Sequence, residues 1–117
     1  LVTDGYVGFA FGSPVIGHTA WIKVDAKLSA SGNADTFRVE LGGGNVVNWS
    51  TMIDDGYVTA LTEEFQTFMI PVSAYVANIS TFDTLGFHIN NGGVILDNLV
   101  LLYDSYSYQV ANFNDSI

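Results

Sequence analysis

Side chains that could do chemistry are few in this sequence. Carboxylates occur in pairs at positions 54–55 and 63–64, and the two histidines are His18 and His88. Two carboxylates can hydrolyse a glycoside when they face each other about 5 to 10 Å apart across the sugar. Both pairs lie in polar, turn-like stretches, where solvated carboxylates are common, and no motif of a hydrolase, metalloprotease or phosphate-binding loop accompanies them. We therefore expect a protein that is not an enzyme, with a small glycoside-active enzyme as the least favoured alternative.

Aromatic side chains on strand faces that should be polar predict binding instead. The face of this strand that carries Tyr6 otherwise holds only small residues, so the Tyr6 ring would be the one large side chain on a flat part of the sheet. Trp21, Trp49 and Tyr57 are further candidates. Each also has a structural explanation: Trp21 could cover one end of the sandwich, Trp49 could be a core residue, and Tyr57 could be a structural residue after a turn. Rigid amphipathic rings can stack on the apolar faces of pyranose sugars. The aromatic residues therefore predict a surface that binds neutral glycans.

Polar side chains that could hydrogen-bond sugar hydroxyls are predicted on similar outward rows. Arg38 and Glu40 share one row, either as ligand contacts or as a surface ion pair worth about 0 to 1 kcal/mol. His88 and Asn90 share another row, and His88 is equally well explained as an ordinary surface histidine. The predicted ligand-binding residues are thus Tyr6, Arg38, Glu40, Trp49, Tyr57, His88 and Asn90, and no catalytic residue is predicted.

Two alternating runs joined by a turn would position His88. Residues 85–90 have the period of a half-buried strand. Residues 90–93, written NNGG, favour a tight turn because Asn and Gly tolerate positive φ. Residues 94–102 form a nearly apolar strand that contains Asp97, which we expect to point inward. A carboxylate there must be paired, hydrogen-bonded or bound to a metal.

Most of the remaining chain alternates in the same way. Strands are predicted at residues 1–11, 19–29, 36–41, 45–53, 65–72 and 108–113, with a short strand at 57–61 and one helical turn within 73–80. The predicted core includes Phe65, Phe68, Phe82 and Phe87, whereas the facing of Trp49 is ambiguous. The pattern predicts an all-β fold, an antiparallel β-sandwich of two packed sheets that forms a single domain over residues 1–117.

The composition limits the class of partner. Three Lys and Arg residues stand against twelve Asp and Glu residues, and the net charge of −9 argues against nucleic acids and anionic membrane surfaces. The chain has no cysteine, which excludes disulfides and thiolate metal sites. It contains neither a signal-peptide pattern nor an apolar run long enough to span a bilayer. Since it begins at Leu1 without a Met, we expect an excised module, and an extracellular origin is compatible with these properties.

Several motifs, taken in order, resemble the jelly-roll carbohydrate-binding modules, most closely those of family 11. They are TDGYVG at 3–8, WIKVDAKLS at 21–29, TFRVEL at 36–41, FMIPVSAY at 68–75, NISTFDTLGFHINN at 78–91 and VILDNLVL at 94–101. The Ile-Pro-x-Ser segment and the closing strand occur widely among glycan-binding modules, whereas only the first motif points to family 11. The loop after the Pro-Ser segment is shorter here than in that family, so we expect a shallower groove.

The resemblance implies a function. Members of the family bind β-glucan chains without cleaving them, in a groove across one sheet, and target an attached glycoside hydrolase in a secreted, cellulosome-type enzyme. The implied ligand is β-1,4 or mixed-linkage β-1,3-1,4 glucan, with xyloglucan as a variant. Tyr6 matches a groove tyrosine, and Trp49 falls in the groove unless a one-residue slip buries it. The alternative function is a structural or adhesion β-sandwich of a surface protein.

The resemblance also implies a structural calcium ion. The family opens with an Asp-Phe-Glu strand whose acid shares the metal with the aspartate of the closing strand. No such strand precedes Leu1, but ANFND at 111–115 looks like that opening moved to the end of the chain. The tail at 103–117 would then replace the first strand, as in a circular permutation, and Asp97 and Asp115 would bind calcium. The alternative is that Asp97 caps backbone amides without a metal.

Overall fold

The described part of the chain contains eight strands and one short helix. The computed structural model describes residues 5–10, 20–42, 45–76, 84–103 and 106–111. The elements are β1 (Gly5–Ala10), β2 (Ala20–Leu28), β3 (Arg38–Leu41), β4 (Val46–Asn48), α1 (Trp49–Asp54), β5 (Gln66–Pro71), a 3-10 turn (Val72–Ala74), β6 (Thr84–Ile89), β7 (Val94–Tyr103) and β8 (Tyr106–Ala111). Within these ranges no helix has the length and apolar character needed to cross a membrane.

The strands form two four-stranded antiparallel sheets. The first sheet has the order β1-β6-β3-β4 and the second has the order β5-β2-β7-β8. Neighbours in a sheet are mostly distant in the chain, so the connections cross repeatedly from one sheet to the other, as expected for a jelly roll. The predicted all-β antiparallel sandwich is therefore confirmed.

The alternation of apolar and polar residues explains how the two sheets pack. In β2, Ile22 and Val24 are fully buried, whereas Trp21 and Lys23 point outward. The inward rows of both sheets and α1 contribute to one core, whose largest fully buried side chains are Trp49, Phe37, Phe87, Ile22, Leu41, Met52, Ile70, Leu85, Ile89, Leu99 and Leu101. Each such side chain contributes about 1.5 to 3 kcal/mol through the hydrophobic effect, which holds the sheets face to face.

The segment after β4 corrects one prediction. The strand predicted at 45–53 ends at Asn48, and residues 49–54 form α1 instead. Trp49 and Met52 are both buried, and Ile53 packs against the same core. These three apolar residues have the i, i+3, i+4 spacing of one helix face, which a strand could not bury together. The short strand predicted at 57–61 is also absent, since the described backbone there forms no strand.

Asp97 corrects a second prediction, because its side chain does not point into the core. Lys23 pairs with Val100 and Asp25 pairs with Asp97, so one residue of β2 stands opposite two residues of β7. This bulge leaves Asn98 with a positive φ of 49°, a conformation that Asn tolerates better than most residues. The extra residue changes the alternation, and Asp97 lies half-buried on the outward face.

Two loops are tied together at one end of the sandwich. The loop after β2 and the turn between β6 and β7 share several hydrogen bonds. The Gly93 amide donates to the Asn33 carbonyl at 2.9 Å, and the Asn33 side-chain amide donates to the Asn91 carbonyl at 3.1 Å. The Asn90 amide donates to the Thr36 hydroxyl at 2.8 Å, and that hydroxyl donates back to the Asn90 carbonyl. We call this set of contacts the loop clamp; it fixes the start of β3 against the end of β6.

The tail confirms a late strand in part. β8 pairs antiparallel with β7 at the edge of the second sheet, from Leu99 opposite Ala111 to Tyr103 opposite Tyr106. The strand begins two residues before the predicted 108–113 and ends two residues earlier. The proposed first-strand replacement depends on Asp115, which lies outside the described residues, as do His18 and Phe82.

Candidate functional site

Two rows of residues cross all four strands of the first sheet on its outward face. From β1 to β4 the first, which we call the tyrosine row, consists of Tyr6, His88, Arg38 and Asn48. The neighbouring glycine row consists of Gly8, Gly86, Glu40 and Val46. Adjacent strands lie about 4.8 Å apart, so each row spans roughly 14 Å, which suits a short stretch of an oligosaccharide. The strand register thus brings together four of the predicted ligand-binding residues.

The Tyr6 ring lies over the glycine row. Its side chain is 54% exposed, yet a Cβ atom placed on Gly86 would be only 2.7 Å from the Tyr6 Cε1 atom. A Cβ atom on Gly8 would collide with the Tyr6 hydroxyl oxygen. The ring therefore rests on the backbone of both glycines, as the small residues around it predicted, and one ring face remains open to solvent.

His88 contacts this ring and is itself paired with Glu40. The His88 ring centroid is 4.4 Å from that of Tyr6, and the two planes are tilted by 47°. The His88 Nε2 atom lies 3.1 Å from the Glu40 Oε1 atom, with both side chains largely but not fully covered. The predicted alternative, an ion pair between Arg38 and Glu40, is therefore replaced by a histidine–glutamate pair.

Arg38 and Asn48 supply hydrogen-bond donors that the protein does not use itself. In the part of the chain that the structure describes, neither the Arg38 guanidinium nor the Asn48 side chain has a hydrogen-bond or ion-pair partner. Asn48 occupies the N-cap position of α1 without capping it. An arginine carries five N–H donors in a planar fork, so the tyrosine row combines an aromatic ring with open donors.

Trp49 does not belong to this face. Only 2% of it is exposed, and its ring packs between the sheets, with centroids 5.1 Å from Phe37 and 5.1 Å from Phe68. Its indole N–H donates to the Thr59 carbonyl at 3.0 Å. The prediction that Trp49 faces a groove is wrong, because α1 starts at this residue and turns the ring inward.

Tyr57 lies beyond the edge of the first sheet. Its ring contacts that of Tyr75 at 5.8 Å, and the Tyr75 carbonyl accepts a hydrogen bond from Asn45, just before β4. Burial raises the pKa of the Tyr75 hydroxyl well above its ordinary value, and the 2.7 Å hydrogen bond that it donates to Asp55 adds to the shift. Tyr57 is thus not part of the tyrosine row, and its ligand contact stays a prediction.

Asn90 continues the outward direction of His88 but lies past the end of β6. Its backbone takes part in the loop clamp through Thr36, and its side chain is exposed. The structure therefore places Asn90 in the turn after β6, on the side of the tyrosine row away from the glycine row, where a contact with a ligand stays a prediction.

The outward face of the second sheet also carries aromatic residues. Trp21 is 38% exposed, and Phe65, which we predicted in the core, is 43% exposed. The Lys27 ammonium lies 4.7 Å from the centroid of the Phe65 ring. This second face thus holds exposed rings, and one of its two lysines is already engaged with such a ring.

A polar network occupies the middle of the second face. The Asp25 carboxylate accepts a 2.5 Å hydrogen bond from the Thr67 hydroxyl and a 2.8 Å hydrogen bond from the Asn98 side-chain amide. The Asp97 carboxylate in turn accepts a hydrogen bond of 2.8 Å from the Asn98 backbone amide. The carboxylates at the centre of this face therefore accept hydrogen bonds from neighbouring groups of the protein, whereas Lys23 on the same face is exposed and has no partner among the described residues.

Of the two predicted calcium ligands, Asp97 lies among the described residues and Asp115 does not. No group of three or more His, Cys, Asp or Glu side chains is placed to hold a metal among the residues described. Asp97 lies opposite Asp25, but both oxygens of Asp25 already accept hydrogen bonds. The described residues alone do not form the site, and the calcium ion stays a prediction that depends on Asp115.

A cleft of about 380 Å³ lies beside α1. Trp49, Ile53 and Leu61 form much of its apolar lining, whereas Asn33, Asp35 and Ser50 are polar residues of its lining. The Asn33 side chain is already committed, since its oxygen accepts from the Asp35 amide and its nitrogen donates to the Asn91 carbonyl. The cleft also lacks an exposed aromatic platform, since its one aromatic lining residue, Trp49, is only 2% exposed.

Sequence reasoning missed Asn48 and the pairing between His88 and Glu40. Both depend on register, which places residues from distant parts of the chain opposite each other. Alternation shows which residues share a face of one strand, but it does not show which strands are neighbours.

Comparison with known proteins gives no match, since no protein-family model, curated protein or solved structure matches the chain. The resemblance to carbohydrate-binding modules therefore rests on the sequence motifs, and the function must be argued from the site itself.

Proposed function

We propose that this chain binds a neutral polysaccharide of the β-glucan type on the outward face of its first sheet and does not cleave it. The observation that carries the proposal is the exposed Tyr6 ring, which rests on two glycines beside the His88–Glu40 pair. An exposed, fixed ring face suits the apolar face of a pyranose. The open donors of Arg38 and Asn48 on the same row suit its hydroxyl groups.

The charge of the protein favours a neutral sugar over an acidic one. The chain carries a net charge of −9, and Glu40 adds a carboxylate close to the Tyr6 platform. A polysaccharide of uronic acids would be repelled by this field. A neutral glucan would meet no such repulsion, and its hydroxyl groups could donate hydrogen bonds to the Glu40 carboxylate.

The carboxylates of this face support binding over hydrolysis. Glu40 is the one carboxylate that the described strands of the first sheet contribute, and it is paired with His88 at 3.1 Å. Most glycoside hydrolases use two carboxylates on opposite sides of the scissile bond. A surface with a ring, open donors and one paired carboxylate can hold a sugar without this chemistry.

Affinity electrophoresis tests the proposal. The native protein is run in gels that contain mixed-linkage β-1,3-1,4-glucan, hydroxyethylcellulose, xyloglucan, mannan or xylan, with a gel without polysaccharide as the reference. We expect retardation in the glucan gels. Unchanged mobility in all gels would remove the proposal, and retardation by mannan or xylan alone would reject glucan as the ligand.

The wider setting follows from the same proposal. A module of this kind would be secreted and would direct an attached glycoside hydrolase to its polysaccharide, and Asp97 and Asp115 would hold a structural calcium ion. These statements are supported by the sequence motifs.

A second function has one observation in its favour. Exposed Trp21 and Met69 lie on the outward face of the second sheet, as an interface of a structural or adhesion protein would. Concentration-dependent association that is lost in Trp21→Ala, together with no retardation by any sugar, would favour this function.

A further inference from the structure

We propose that Gly8 and Gly86 form a seat that holds the Tyr6 ring flat on the first sheet, and that both are positioning residues for sugar binding. The inference rests on the proposed function, since it states how Tyr6 becomes a binding platform. It assigns a role to two residues that have no side chain and could make no polar contact of their own with a ligand.

The two glycines are cross-strand partners directly beside the Tyr6–His88 pair. A Cβ atom at Gly86 would lie 2.7 Å from Tyr6 Cε1 and 3.0 Å from the Tyr6 hydroxyl oxygen. At Gly8 a Cβ atom would lie 2.6 Å from Tyr6 Cζ. Such distances are far below carbon contact separations of about 3.5 to 4.0 Å, so alanine at either position would displace the ring.

The burial of Gly86 agrees with a covering ring. Gly86 is buried although it points to the outward face of β6, whereas the neighbouring outward residue His88 is only partly covered and Gly8, on the edge strand β1, stays exposed. A glycine in a strand interior weakens the sheet, and an aromatic ring laid over it across the strands offsets that loss. The seat therefore stabilises the sheet locally and at the same time fixes the ring.

The seat determines which part of Tyr6 a sugar meets. Tyr6 stays 54% exposed although its ring rests on the glycines, and the contact with the His88 ring at a centroid distance of 4.4 Å restricts its movement. If a methyl group occupied the floor, the ring would have to stand away from the sheet and present its edge. Stacking on a pyranose needs the face, so affinity should depend on the glycines although they do not touch the sugar.

Proton NMR of the protein without ligand tests the seat. Protons under an aromatic face are shifted upfield by its ring current, so the Hα signals of Gly8 and Gly86 should lie upfield and move downfield in Tyr6→Ala. In Tyr6→Phe they should stay upfield, because the ring remains. Glycine Hα signals that do not respond to Tyr6→Ala would overturn the seat, whatever the protein binds.

Binding to hydroxyethylcellulose then tests the positioning role. We expect Gly86→Ala to weaken binding about tenfold, close to the effect of Tyr6→Ala. Gly86→Ala in the Tyr6→Ala background should cause no further loss, because the two residues act as a unit. Gly8→Ala provides a second variant if Gly86→Ala does not fold.

The outcomes separate the two proposals. A folded Gly86→Ala or Gly8→Ala variant that binds as wild type, or losses that add up in the double variant, would overturn the positioning role and leave sugar binding intact. Absence of binding by the wild type would remove the proposed function and the positioning role together, and the NMR result would still decide the seat.

Discussion

The outward faces of the two sheets differ in what their polar groups do. The second face has a larger number of exposed rings, including Trp21 and Phe65, but its central carboxylate is hydrogen-bonded by Thr67 and Asn98. The first face has one exposed ring, Tyr6, and keeps donors without partners within the described chain. A count of exposed aromatics would select the second face, whereas the available hydrogen-bonding capacity selects the first.

This difference has a physical basis. Stacking supplies apolar contact, but a sugar also loses hydrogen bonds to water when it binds, and unpaired hydroxyl groups at an interface are costly. A carboxylate such as Asp25, which already accepts hydrogen bonds from the protein, has less capacity to replace those bonds. The following variants test the contrast, in order of decreasing predicted loss.

Trp49→Ala should disturb both faces at once. Its ring fills the core between Phe37 and Phe68, so truncation leaves a cavity and should lower the free energy of unfolding by about 3 to 5 kcal/mol. Urea denaturation at one temperature measures this loss. A change below about 1 kcal/mol would contradict the assignment of Trp49 to the core.

Removal of calcium should lower the stability of the fold by weakening the second sheet, where Asp97 lies. If Asp97 and Asp115 bind the ion, a concentration one hundred times the dissociation constant stabilises the fold by about 2.7 kcal/mol. EDTA should then lower the melting temperature, and excess calcium should restore it. Asp97→Asn should lose this response, and a melting temperature that EDTA leaves unchanged in the wild type would remove the calcium ion.

Tyr6→Ala and Trp21→Ala form a matched pair, one exposed ring from each face. We expect Tyr6→Ala to weaken glucan binding at least about tenfold, or 1.4 kcal/mol, through the loss of stacking. Trp21→Ala should bind as wild type. Isothermal titration with a soluble cello-oligosaccharide measures both, and the reverse ranking would move the binding site to the second face.

Arg38→Ala should have a smaller effect. No described carboxylate pairs with this guanidinium, so its removal leaves no charged group without its partner. The free energy of unfolding should therefore stay within about 0.5 kcal/mol of wild type. Binding should weaken by about 0.5 to 1.5 kcal/mol, the net value of a hydrogen bond. Arg38→Lys keeps the charge but loses the planar fork, so equal affinity of this variant and wild type would show that charge alone matters.

The fold could be predicted from the sequence because most strands bury one face only. Strict alternation in β2 and β6 fixed which residues lie inward, and this in turn placed His88 on the outward face. Trp49 was ambiguous because its spacing from Val47 fits a strand, while its spacing from Met52 and Ile53 fits a helix. The burial of all three residues favours the helix.

The candidate site was predictable only in part, since it depends on contacts between strands. Alternation placed Arg38 and Glu40 on one side of β3, but it gave no information on which of them meets His88. The register pairs Arg38 with His88 along the backbone, while the side chain of Glu40 reaches the histidine from the neighbouring row. The bulge at Asn98 could not be predicted for a similar reason, because it depends on the register between β7 and β2.

The loop clamp has a consequence for the kinetics of binding. It joins the start of β3 to the end of β6 through Thr36 and Asn90, and these strands carry Arg38, Glu40 and His88. Their mutual geometry is thus set when the chain folds, and little ordering remains for the moment of encounter. We expect association without a slow conformational step, with differences in affinity among related glucans expressed mainly as differences in residence time.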